Sequence, residues 1–459
     1  MATRRIPLYR PNDAARLIDM IAAGHCVTVV GLSNFGKSTL LRGLSNFASQ
    51  YEEKAGRNVL FVYVDCHRIL EMTIQGFYEV ILRAILEVLP GSEVKVHDKI
   101  EGLYRRVVEP ESSFGVPLAF NDSIVELMAE TEFDVVLLLD EIDEVMHSLE
   151  PRIFLNMRAL KDRYGERLMY VIATIHRAMQ LADNDHVAEF GELFAPNELF
   201  LAPLAPAQTA QLASDIFAEA HDKIPDAVRD YILQMAGGHP GLTQAISQAI
   251  LAMESHVPAL YKEQAISLVD QGLENDRLVR AELNRLWNQI TEPERSALVA
   301  LVSQGPEAVS LDLRSQLVQR GIMLDENNPQ LLTPLFTRYV QRQGMAREGM
   351  PGGVYLDTDA GEVWINGQRI QTLTDLEYRL LLLMYGRLDK MCDKYQIVEA
   401  VWGQAYIDEV DDARIEKLVS RLRAKIEPDP ADPHYLLTVR GRGYKLTNGG
   451  SEGVESDED

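Results

Sequence analysis

The strongest chemical signal in the sequence is a glycine-rich loop near its start. Residues 31–39 have the pattern GxxxxGK[ST], between an apolar run at 26–30 and a helical stretch. Backbone N–H groups of such a loop face phosphate at a helix N-terminus, while the lysine reaches the β- and γ-phosphates. The pattern therefore predicts a nucleotide site, with Mg²⁺ bound to Ser38. The loop residues predicted to bind nucleotide are Gly31, Ser33, Asn34, Phe35, Gly36, Lys37, Ser38 and Thr39.

A pair of carboxylates follows a second apolar run. Asp140 and Glu141 come directly after residues 133–139, at the carboxyl edge where parallel sheets bind ligands. An aspartate in this place holds Mg²⁺, and the following glutamate polarises the attacking water. The start of an acidic helix would explain Asp143 and Glu144, but it gives no reason for the pair at the edge of the strand. We predict Asp140 as a Mg²⁺ ligand and Glu141 as the base of a slow hydrolysis of ATP to ADP and phosphate.

Polar residues after a third apolar run, 168–174, are candidates for sensing the γ-phosphate. In P-loop ATPases with an additional strand this is the sensor position, which makes Thr174 a candidate. Arg177 either contacts the γ-phosphate or stays in solvent, and the sequence leaves both interpretations open. The predicted catalytic residues are Lys37, Asp140, Glu141, Thr174 and Arg177. An arginine that acts in a neighbouring subunit would be one of Arg152, Arg158 and Arg163.

These polar groups require a sheet that brings the ends of several strands together. Apolar runs at 58–64 and 199–201 bring the number of predicted strands to five, and helical stretches separate the strands. That alternation predicts a parallel, five-stranded α/β sheet. Further helical stretches follow between residues 208 and 236.

A short motif marks the end of these helices. Glycine ends one helix, and Pro240 stands near the start of the next, as helix termini favour. Gly238-His239-Pro240 matches the Gly-x-Pro motif of a helical lid, and roughly residues 8–342 resemble the STAND branch of AAA+-like ATPases, which are signal-responsive switch proteins. The resemblance implies that His239 and Pro240 lie against the nucleotide. Residues 10–13 differ from the Gly-Arg-Glu segment of many family members, which leaves the adenine contact unassigned.

Two later segments open with a capping box, the Thr-x-x-Glu pattern that satisfies free N–H groups at the start of a helix. The first box is at residues 291–294 and the second at 374–377, and each precedes an apolar helix and further short elements typical of a winged helix. The first winged helix has a mildly basic second helix, and its wing contains acids such as Asp325 and Glu326. In STAND proteins a winged helix at this place packs on the nucleotide. We therefore favour a relay role over DNA contact for it.

The second winged helix resembles the OmpR/PhoB-type effector domain over essentially its full length. Its apolar helix positions, from Ile415 to Ile426, bury one face, and basic residues cover the remainder. Such a basic face suits the major groove, and arginines of the wing suit the minor groove. A solvated charged helix is the alternative, and acids at 408–412 disfavour phosphate nearby. The predicted DNA-binding residues are Arg414, Lys417, Arg421, Arg423, Lys425, Thr438, Arg440 and Arg442.

The sequence therefore predicts a multidomain protein: a P-loop ATPase with a helical lid, a first winged helix and a C-terminal winged helix. The predicted parts are an ATPase domain at 1–204, a lid at 205–280, a relay winged helix at 281–342, a flexible linker at 343–353, a DNA-binding winged helix at 354–447 and a disordered acidic tail at 448–459. The ATPase stands where the OmpR/PhoB family has its phosphoacceptor receiver domain.

Charge and composition narrow the functional classes. The net charge of −24 argues against non-specific coating of nucleic acid, yet residues 413–445 contain eight basic and four acidic side chains. No apolar run approaches the roughly 20 residues that span a bilayer. Three cysteines without metal-binding spacing fit a reducing cytoplasm, bacterial or archaeal, and suggest no metal besides the nucleotide's Mg²⁺.

The leading hypothesis is an ATP-dependent switch that controls sequence-specific DNA binding, a transcription regulator that forms a homo-oligomer in its ATP state. ATP, ADP and Mg²⁺ would be its cofactors, double-stranded DNA its partner, and an unidentified inducer or partner protein its signal. One alternative is a DNA-remodelling or loading ATPase resembling origin-recognition initiators or transposition regulators. Another is a signal-sensing scaffold or defence protein whose terminal winged helix binds protein.

Overall fold

The computed structural model describes residues 9–181, 185–220, 223–254, 272–274, 276–327, 330–349, 353–357, 362–365, 368–370, 373–403, 410–430, 432–439 and 441–447. The chain forms two compact units, Met1–Tyr339 and Val340–Asp459. Within the described ranges, no helix is both long enough and apolar enough to cross a membrane.

The N-terminal unit is built on a parallel sheet. Its strands are β1 (Val27–Val30), β2 (Val59–Asp65), β3 (Asp134–Asp140), β4 (Leu168–Thr174) and β5 (Glu198–Phe200). They lie in the order β2-β3-β4-β1-β5, and all of the pairs are parallel. Every residue of β1, β3 and β4 is buried, as expected of strands covered on both faces. The predicted five-stranded sheet is confirmed, and β4 is the additional strand between β1 and β3.

Helices connect and cover these strands. They are α1 (Pro11–Ala22), α2 (Lys37–Gly43), α3 (Ala48–Ala55), α4 (Ile74–Val88), α5 (Val94–Val108), α6 (Gly115–Glu130), α7 (Asp143–Ser148), α8 (Arg152–Tyr164) and α9 (Asp185–Gly191). Three of them, α4 to α6, separate β2 from β3 in the chain and share a core in which Tyr78 stacks on Phe120 with 3.9 Å between ring centroids. The P-loop joins β1 to α2, so the sheet and this helix fix both of its ends.

The segments predicted as the lid and the first winged helix follow β5 in the chain. Their helices are α10 (Pro206–Glu219), α11 (Asp226–Ala236), α12 (Pro240–Glu254), α13 (Arg277–Asn288), α14 (Glu292–Gln304), α15 (Leu311–Gln319) and α16 (Pro334–Gly349). The capping box of Thr291 and Glu294 opens α14 as predicted. Among the described residues, the predicted wing contains one isolated β-bridge, between Met323 and Leu331.

The predicted flexible linker differs from the structure over most of its described length. Residues 343–349 belong to α16, which continues to Gly349. The reason is local, because Met345, Ala346, Arg347 and Glu348 all favour helix and outweigh the cost of a glycine inside it. Of the remaining positions only Gly353 is among the described residues.

From Val354 on, the described residues of the C-terminal unit form two small antiparallel sheets and three helices. Strands β6 (Val354–Asp357), β7 (Glu362–Ile365) and β8 (Gln368–Arg369) form the first sheet, and β9 (Met391–Cys392), β10 (Leu436–Val439) and β11 (Gly443–Leu446) form the second. The helices are α17 (Asp375–Tyr385), α18 (Lys394–Val401) and α19 (Asp412–Ile426). The predicted capping box of Thr374 and Glu377 opens α17. The predicted acidic tail at 448–459 lies outside the described residues.

Candidate nucleotide site and candidate DNA interface

The P-loop turns sharply before it enters α2. Asn34 has a φ of 59° and Gly36 a φ of 90°, both in the left-handed region that glycine adopts readily and asparagine tolerates. Gly36 is the N-cap of α2. The first N–H groups of a helix have no partner inside the helix, so this turn leaves donors for phosphate where the sequence predicts them.

Lys37 is folded against its own loop. Its ammonium is buried and donates to the carbonyl oxygens of Gly31, at 2.7 Å, and Leu32, at 3.2 Å. Burial lowers the pKa of Lys37, while Glu141 and the nearby aspartates favour its charged form. The group that would reach the β- and γ-phosphates therefore lies beside the first two residues of the loop.

The predicted Mg²⁺ ligands are placed in keeping with that role. Asp140 ends β3, and the Tyr63 hydroxyl donates to its Oδ2 at 2.6 Å. Its other oxygen, Oδ1, is buried without a hydrogen-bond partner among the described residues. Mg²⁺ binds such carboxylate oxygens together with phosphate and hydroxyl ligands. Ser38, in the first turn of α2, lines the neighbouring cavity, and the two residues fit the proposed ion.

Glu141 follows Asp140 in the chain and lines the cavity over the P-loop. It has a φ of 55°, a conformation that costs energy for a residue with a side chain and is common at functional sites. Burial raises the pKa of its carboxyl, an effect that Lys37 opposes. A base of raised pKa beside a lysine suits the predicted activation of water.

A cavity of about 450 Å³ opens over the loop, within the size range of ligand pockets. The predicted site residues that line it are Asn34, Gly36, Lys37, Ser38, Thr39, Glu141 and Pro240. Residues that the sequence did not single out complete the lining, among them Tyr9, Arg10, Gln244, Gln248, Glu282 and Arg285. The predicted residues outside the lining are Gly31, Ser33, Phe35, Asp140, Thr174, Arg177 and His239.

The two sensor candidates have partners of their own. The Thr174 hydroxyl is buried and donates to the carbonyl of His176 at 2.6 Å. Arg177 lies over the ring of Phe200 and donates to Gln319 on α15 at 2.9 Å. It borders a second cavity, of about 740 Å³, instead of the one over the P-loop. Among the arginine-finger candidates, Arg158 donates to the backbone carbonyl of Glu189 in α9 and pairs with the carboxylate of Glu192 just after this helix.

The Gly238-His239-Pro240 motif packs against the P-loop. His239 is fully buried, and its ring meets the ring of Phe35 edge to face with 4.8 Å between centroids. Its Nδ1 accepts the N–H of Leu242, and burial lowers its pKa to about 3, so the imidazole is neutral. Gly238 has a φ of 80°, and a Cβ there would lie 2.4 Å from the carbonyl oxygen of Leu204. Glycine is therefore required at the start of the motif, and the adjoining Pro240 lines the cavity.

Arg10, in the segment that departs from the family pattern, lies under the loop. It is 5% exposed, donates to the carbonyl of Phe35 at 3.1 Å and pairs with Asp13 at 3.0 Å. Its Nη2 is buried without a hydrogen-bond partner among the described residues. Because it also lines the cavity, it offers a cationic donor that the sequence analysis left unassigned.

Helix α13 contacts the loop directly. The Gln289 side chain, just after α13, accepts the backbone N–H of Ser33 at 2.7 Å. Asn34 donates to both oxygens of Glu282, at 3.0 and 2.9 Å, and Arg285 pairs with the same carboxylate at 2.6 Å. Burial raises the pKa of Glu282, while Asn34 and Arg285 favour its charged form. The sequence analysis missed Glu282 and Gln289, because neither belongs to a local motif.

An ion pair ties this contact to the rest of the first winged helix. Arg320, at the end of α15, pairs with Glu294 of α14 and donates to the backbone carbonyl of Gln289 at 3.0 Å. Although burial alone would raise it, the pKa of Glu294 is lowered because Arg320 and Thr291 donate to its carboxylate. The three helices α13, α14 and α15 therefore share one polar network with the residue that touches the P-loop.

The predicted basic helix is α19. Its buried face consists of Ile415, Leu418, Val419, Leu422 and Ile426, as the sequence predicts. Arg414, Lys417 and Arg421 are exposed, three or four residues apart, and therefore share one face. Among the described residues, none of these three side chains has a hydrogen-bond or ion-pair partner.

Two of the other predicted DNA-binding side chains have internal partners. Arg423 donates to the carbonyl of Leu436 at 2.9 and 2.6 Å and to the hydroxyl of Thr438 at 2.9 Å. Lys425 pairs with the buried Glu377 of the capping box at 2.7 Å. These contacts join α19 to the wing and to α17, so both residues hold the domain together.

The wing carries the remaining candidates. Strands β10 and β11 pair antiparallel, and Arg442 lies exposed in the turn between them. Thr438 is also exposed, and Arg440 lies outside the described residues. Among the predicted DNA-binding residues that the structure describes, the basic side chains with no internal partner are thus on one face of α19 and in the turn of the wing.

Comparison with known proteins agrees with this assignment of the C-terminal unit. The family described as "Transcriptional regulatory protein, C terminal" matches residues 367–446. The chain is similar to the sensory transduction protein RegX3 of Mycobacterium tuberculosis, with 40% identity over 95 residues, or 21% of this chain and 40% of that protein. It is also similar to the probable transcriptional regulator ycf27 of Cyanophora paradoxa, with 35% identity over 97 residues, again 21% and 40%. The chain spans less than half the length of these curated relatives.

Among solved structures, the Walker-type ATPase PABY2304 of Pyrococcus abyssi is similar over 74% of this chain and 97% of that one, with 13% identity and a TM-score of 0.47. The P-loop, the carboxylates at the end of β3 and the order of the strands are features of this chain itself. The chain thus carries a C-terminal OmpR/PhoB-type winged-helix domain, and its N-terminal region resembles the P-loop ATPases.

Proposed function

We propose that this protein is an ATP-responsive transcription regulator, in which nucleotide at the P-loop controls DNA binding by the C-terminal winged helix. The observation that carries the proposal is the contact between the loop and α13. Gln289 occupies the N–H of Ser33, and Glu282 holds the side chain of Asn34. A change at the loop therefore acts first on α13, and through Arg320 on α14 and α15.

Electrostatics gives the contact a direction. Glu282 is 5% exposed and lines the cavity that would hold the phosphates. Two unit charges about 4 Å apart interact by about 4 kcal/mol at an effective dielectric constant near 20. The carboxylate and a triphosphate therefore oppose each other, and nucleotide weakens the hold of α13 on the loop. A ligand shifts a conformational equilibrium when it binds the two states unequally. Because of this repulsion, the triphosphate binds more tightly when α13 is released from the loop than when α13 holds it.

The other side of the switch is the basic face of α19. Arg414, Lys417 and Arg421 present a surface suited to the major groove, and Arg442 in the turn of the wing suits an adjacent groove or phosphate. The match to the transcriptional-regulator family supports DNA as the partner. Arg423 and Lys425 contribute to DNA binding indirectly, because they orient α19 against the wing and α17.

ATP-dependent self-association would supply the gain in affinity. Three exposed cations on one helix make a modest binder, and linking several copies raises avidity without new contacts to bases. In this proposal ADP holds a closed monomer in the cytoplasm, and ATP, with an inducer bound at the lid or the first winged helix, favours the homo-oligomer. Water activated by Glu141 hydrolyses ATP slowly to ADP and phosphate, which resets the switch.

The test compares three variants of the full chain on a duplex selected from a random pool. Glu141→Gln should retain ATP, self-associate and bind the duplex at least tenfold more tightly than Lys37→Ala. Lys161→Ala is the matched control, because Lys161 also donates to two backbone carbonyls, those of Gly24 and Gly165, away from the cavity. It should behave as the wild type does.

Equal DNA binding by Glu141→Gln and Lys37→Ala would disprove the coupling. Hydrolysis that any duplex stimulates, without preference for sequence, would favour the DNA-remodelling alternative. Failure of the wild type to bind duplex under every nucleotide condition would favour a protein partner for the terminal domain.

A further inference from the structure

Tyr63 contacts the carboxylate on which the proposed Mg²⁺ site depends. It lies on β2, and its hydroxyl donates to Oδ2 of Asp140 on the adjacent strand β3 at 2.6 Å. The guanidinium of Arg42, from α2, lies 4.8 Å from the centre of the tyrosine ring. Arg42 also lies 3.8 Å from Asp65, at the end of β2. The tyrosine is therefore fixed between the sheet and the helix that follows the P-loop.

The hydrogen bond from Tyr63 makes the two carboxylate oxygens of Asp140 different. Oδ2 is occupied by Tyr63, and Oδ1 is buried without a partner among the described residues. A carboxylate with one oxygen held can present the other in a fixed direction. Partners of this kind orient metal ligands, and their loss typically lowers metal affinity by about 10- to 100-fold.

We propose that Tyr63 is a positioning residue for Mg²⁺, which holds Oδ2 of Asp140 so that Oδ1 faces the ion beside Ser38. The inference rests on the proposed nucleotide site and adds a residue to it. Tyr63 touches neither nucleotide nor metal and acts through Asp140. Its side chain comes from β2, which carries none of the motifs that identify the site.

A matched pair at the other end of the same strand separates this role from a structural one. Tyr51 donates to Oδ2 of Asp134, the first residue of β3, at 2.7 Å. Asp134 is buried, its Oδ1 also lacks a partner among the described residues, and Arg57 pairs with it at 2.8 Å. This end of β3 is remote from the P-loop, and Arg57 already balances the charge of Asp134. Tyr51→Phe therefore removes the same type of bond without touching the proposed metal site.

The experiment titrates Mg²⁺ into the full chain in the presence of a fluorescent, non-hydrolysable ATP analogue and follows the binding of the analogue. For Tyr63→Phe, the Mg²⁺ concentration at half-maximal binding should rise about tenfold, while binding in EDTA stays at the wild-type level. Saturating Mg²⁺ should restore full binding, which also shows that the variant is folded. Tyr51→Phe should lower the melting temperature and leave the Mg²⁺ midpoint unchanged.

The outcomes distinguish the two proposals. If the wild type binds the analogue and Tyr63→Phe has the wild-type midpoint, Tyr63 has no positioning role and the proposed function stands. If both tyrosine variants shift the midpoint equally, the effect is one of strand stability, and the inference is overturned. If the wild type binds no nucleotide at any Mg²⁺ concentration, the proposed function fails, and the role of Tyr63 fails with it.

Discussion

Gln289 and Ser33 stand 256 positions apart in the chain, yet Oε1 of the glutamine lies 2.7 Å from the backbone nitrogen of the serine. A backbone donor of the nucleotide loop is thus bound by a side chain at the end of α13. In the proposed function, nucleotide and α13 compete for the same stretch of loop, and this contact is where we expect nucleotide binding to be converted into movement.

Gln289→Leu should uncouple nucleotide binding at the loop from DNA binding. The substitution keeps the size of the side chain and removes the acceptor, so it should cost about 1 kcal/mol of stability. We expect the ratio of DNA affinities measured with the ATP analogue and with ADP to fall at least threefold. Gln316→Leu, on the exposed surface of α15, is the control and should keep the wild-type ratio.

Glu282→Gln should strengthen ATP binding. The substitution removes a negative charge from the cavity and leaves an amide that can still face Asn34, so we expect at least tenfold tighter binding of the ATP analogue by calorimetry. The gain for ADP should be smaller, because ADP carries less charge. Glu198→Gln is the control, since Glu198 pairs with Arg177 and does not line this cavity. Unchanged ATP affinity in Glu282→Gln would refute the repulsion.

The basic residues of α19 should divide into two groups. Lys417→Ala and Arg421→Ala should each weaken duplex binding about tenfold and reduce the slope of log K against log salt by about one. Lys425→Ala should leave that slope unchanged and lower the melting temperature, because the buried carboxylate of Glu377 loses its ion-pair partner. Salt titrations of the full chain by fluorescence anisotropy measure both effects.

His239 should make the stability of the N-terminal unit depend on pH. Its pKa is about 3 in the folded chain, against about 6.5 when it is unfolded. Below pH 6.5 the unfolded chain takes up a proton that the folded chain does not. The free energy of unfolding should therefore fall as the pH drops from 6.5 towards 3, by at most about 1.4 kcal/mol per pH unit.

Urea unfolding between pH 6.5 and 5.5 measures this slope, followed by the fluorescence of the buried Trp287 with Trp364 and Trp402 replaced by Phe. His239→Asn should flatten the slope, since its amide cannot titrate. His25→Asn, at an exposed position, should leave the slope as it is. A slope that survives His239→Asn would assign the effect to another group.

The sequence predicts those parts of the fold and of the candidate site that depend on neighbours in the chain. The loop at 31–39, the carboxylates after β3 and both capping boxes are recognisable because a few adjacent residues determine them. Helical periodicity likewise predicts the buried face of α19. It does not separate Arg421 from Arg423, since the partners of Arg423 are in the wing, 13 and 15 positions away.

Long-range contacts mark the limit of such prediction. The bonds of Glu282 and Gln289 to the loop arise only when α13 is folded over it, and neither residue type signals that position. The linker shows the opposite case, because its glycines suggested flexibility while the residues around them favoured the helix that forms.

Asn34 is shared by three parts of the N-terminal unit: it belongs to the loop, its side chain donates to Glu282, and its carbonyl accepts the N–H of Gly241 in the lid. For protein engineers this limits how the loop can be exchanged. A chimera with the loop of a simple nucleotide-binding enzyme would keep the glycines and the lysine, and we expect it to bind nucleotide. It would lack the asparagine side chain that donates to Glu282 of α13, so in the proposed function it would bind nucleotide without passing a signal to α13.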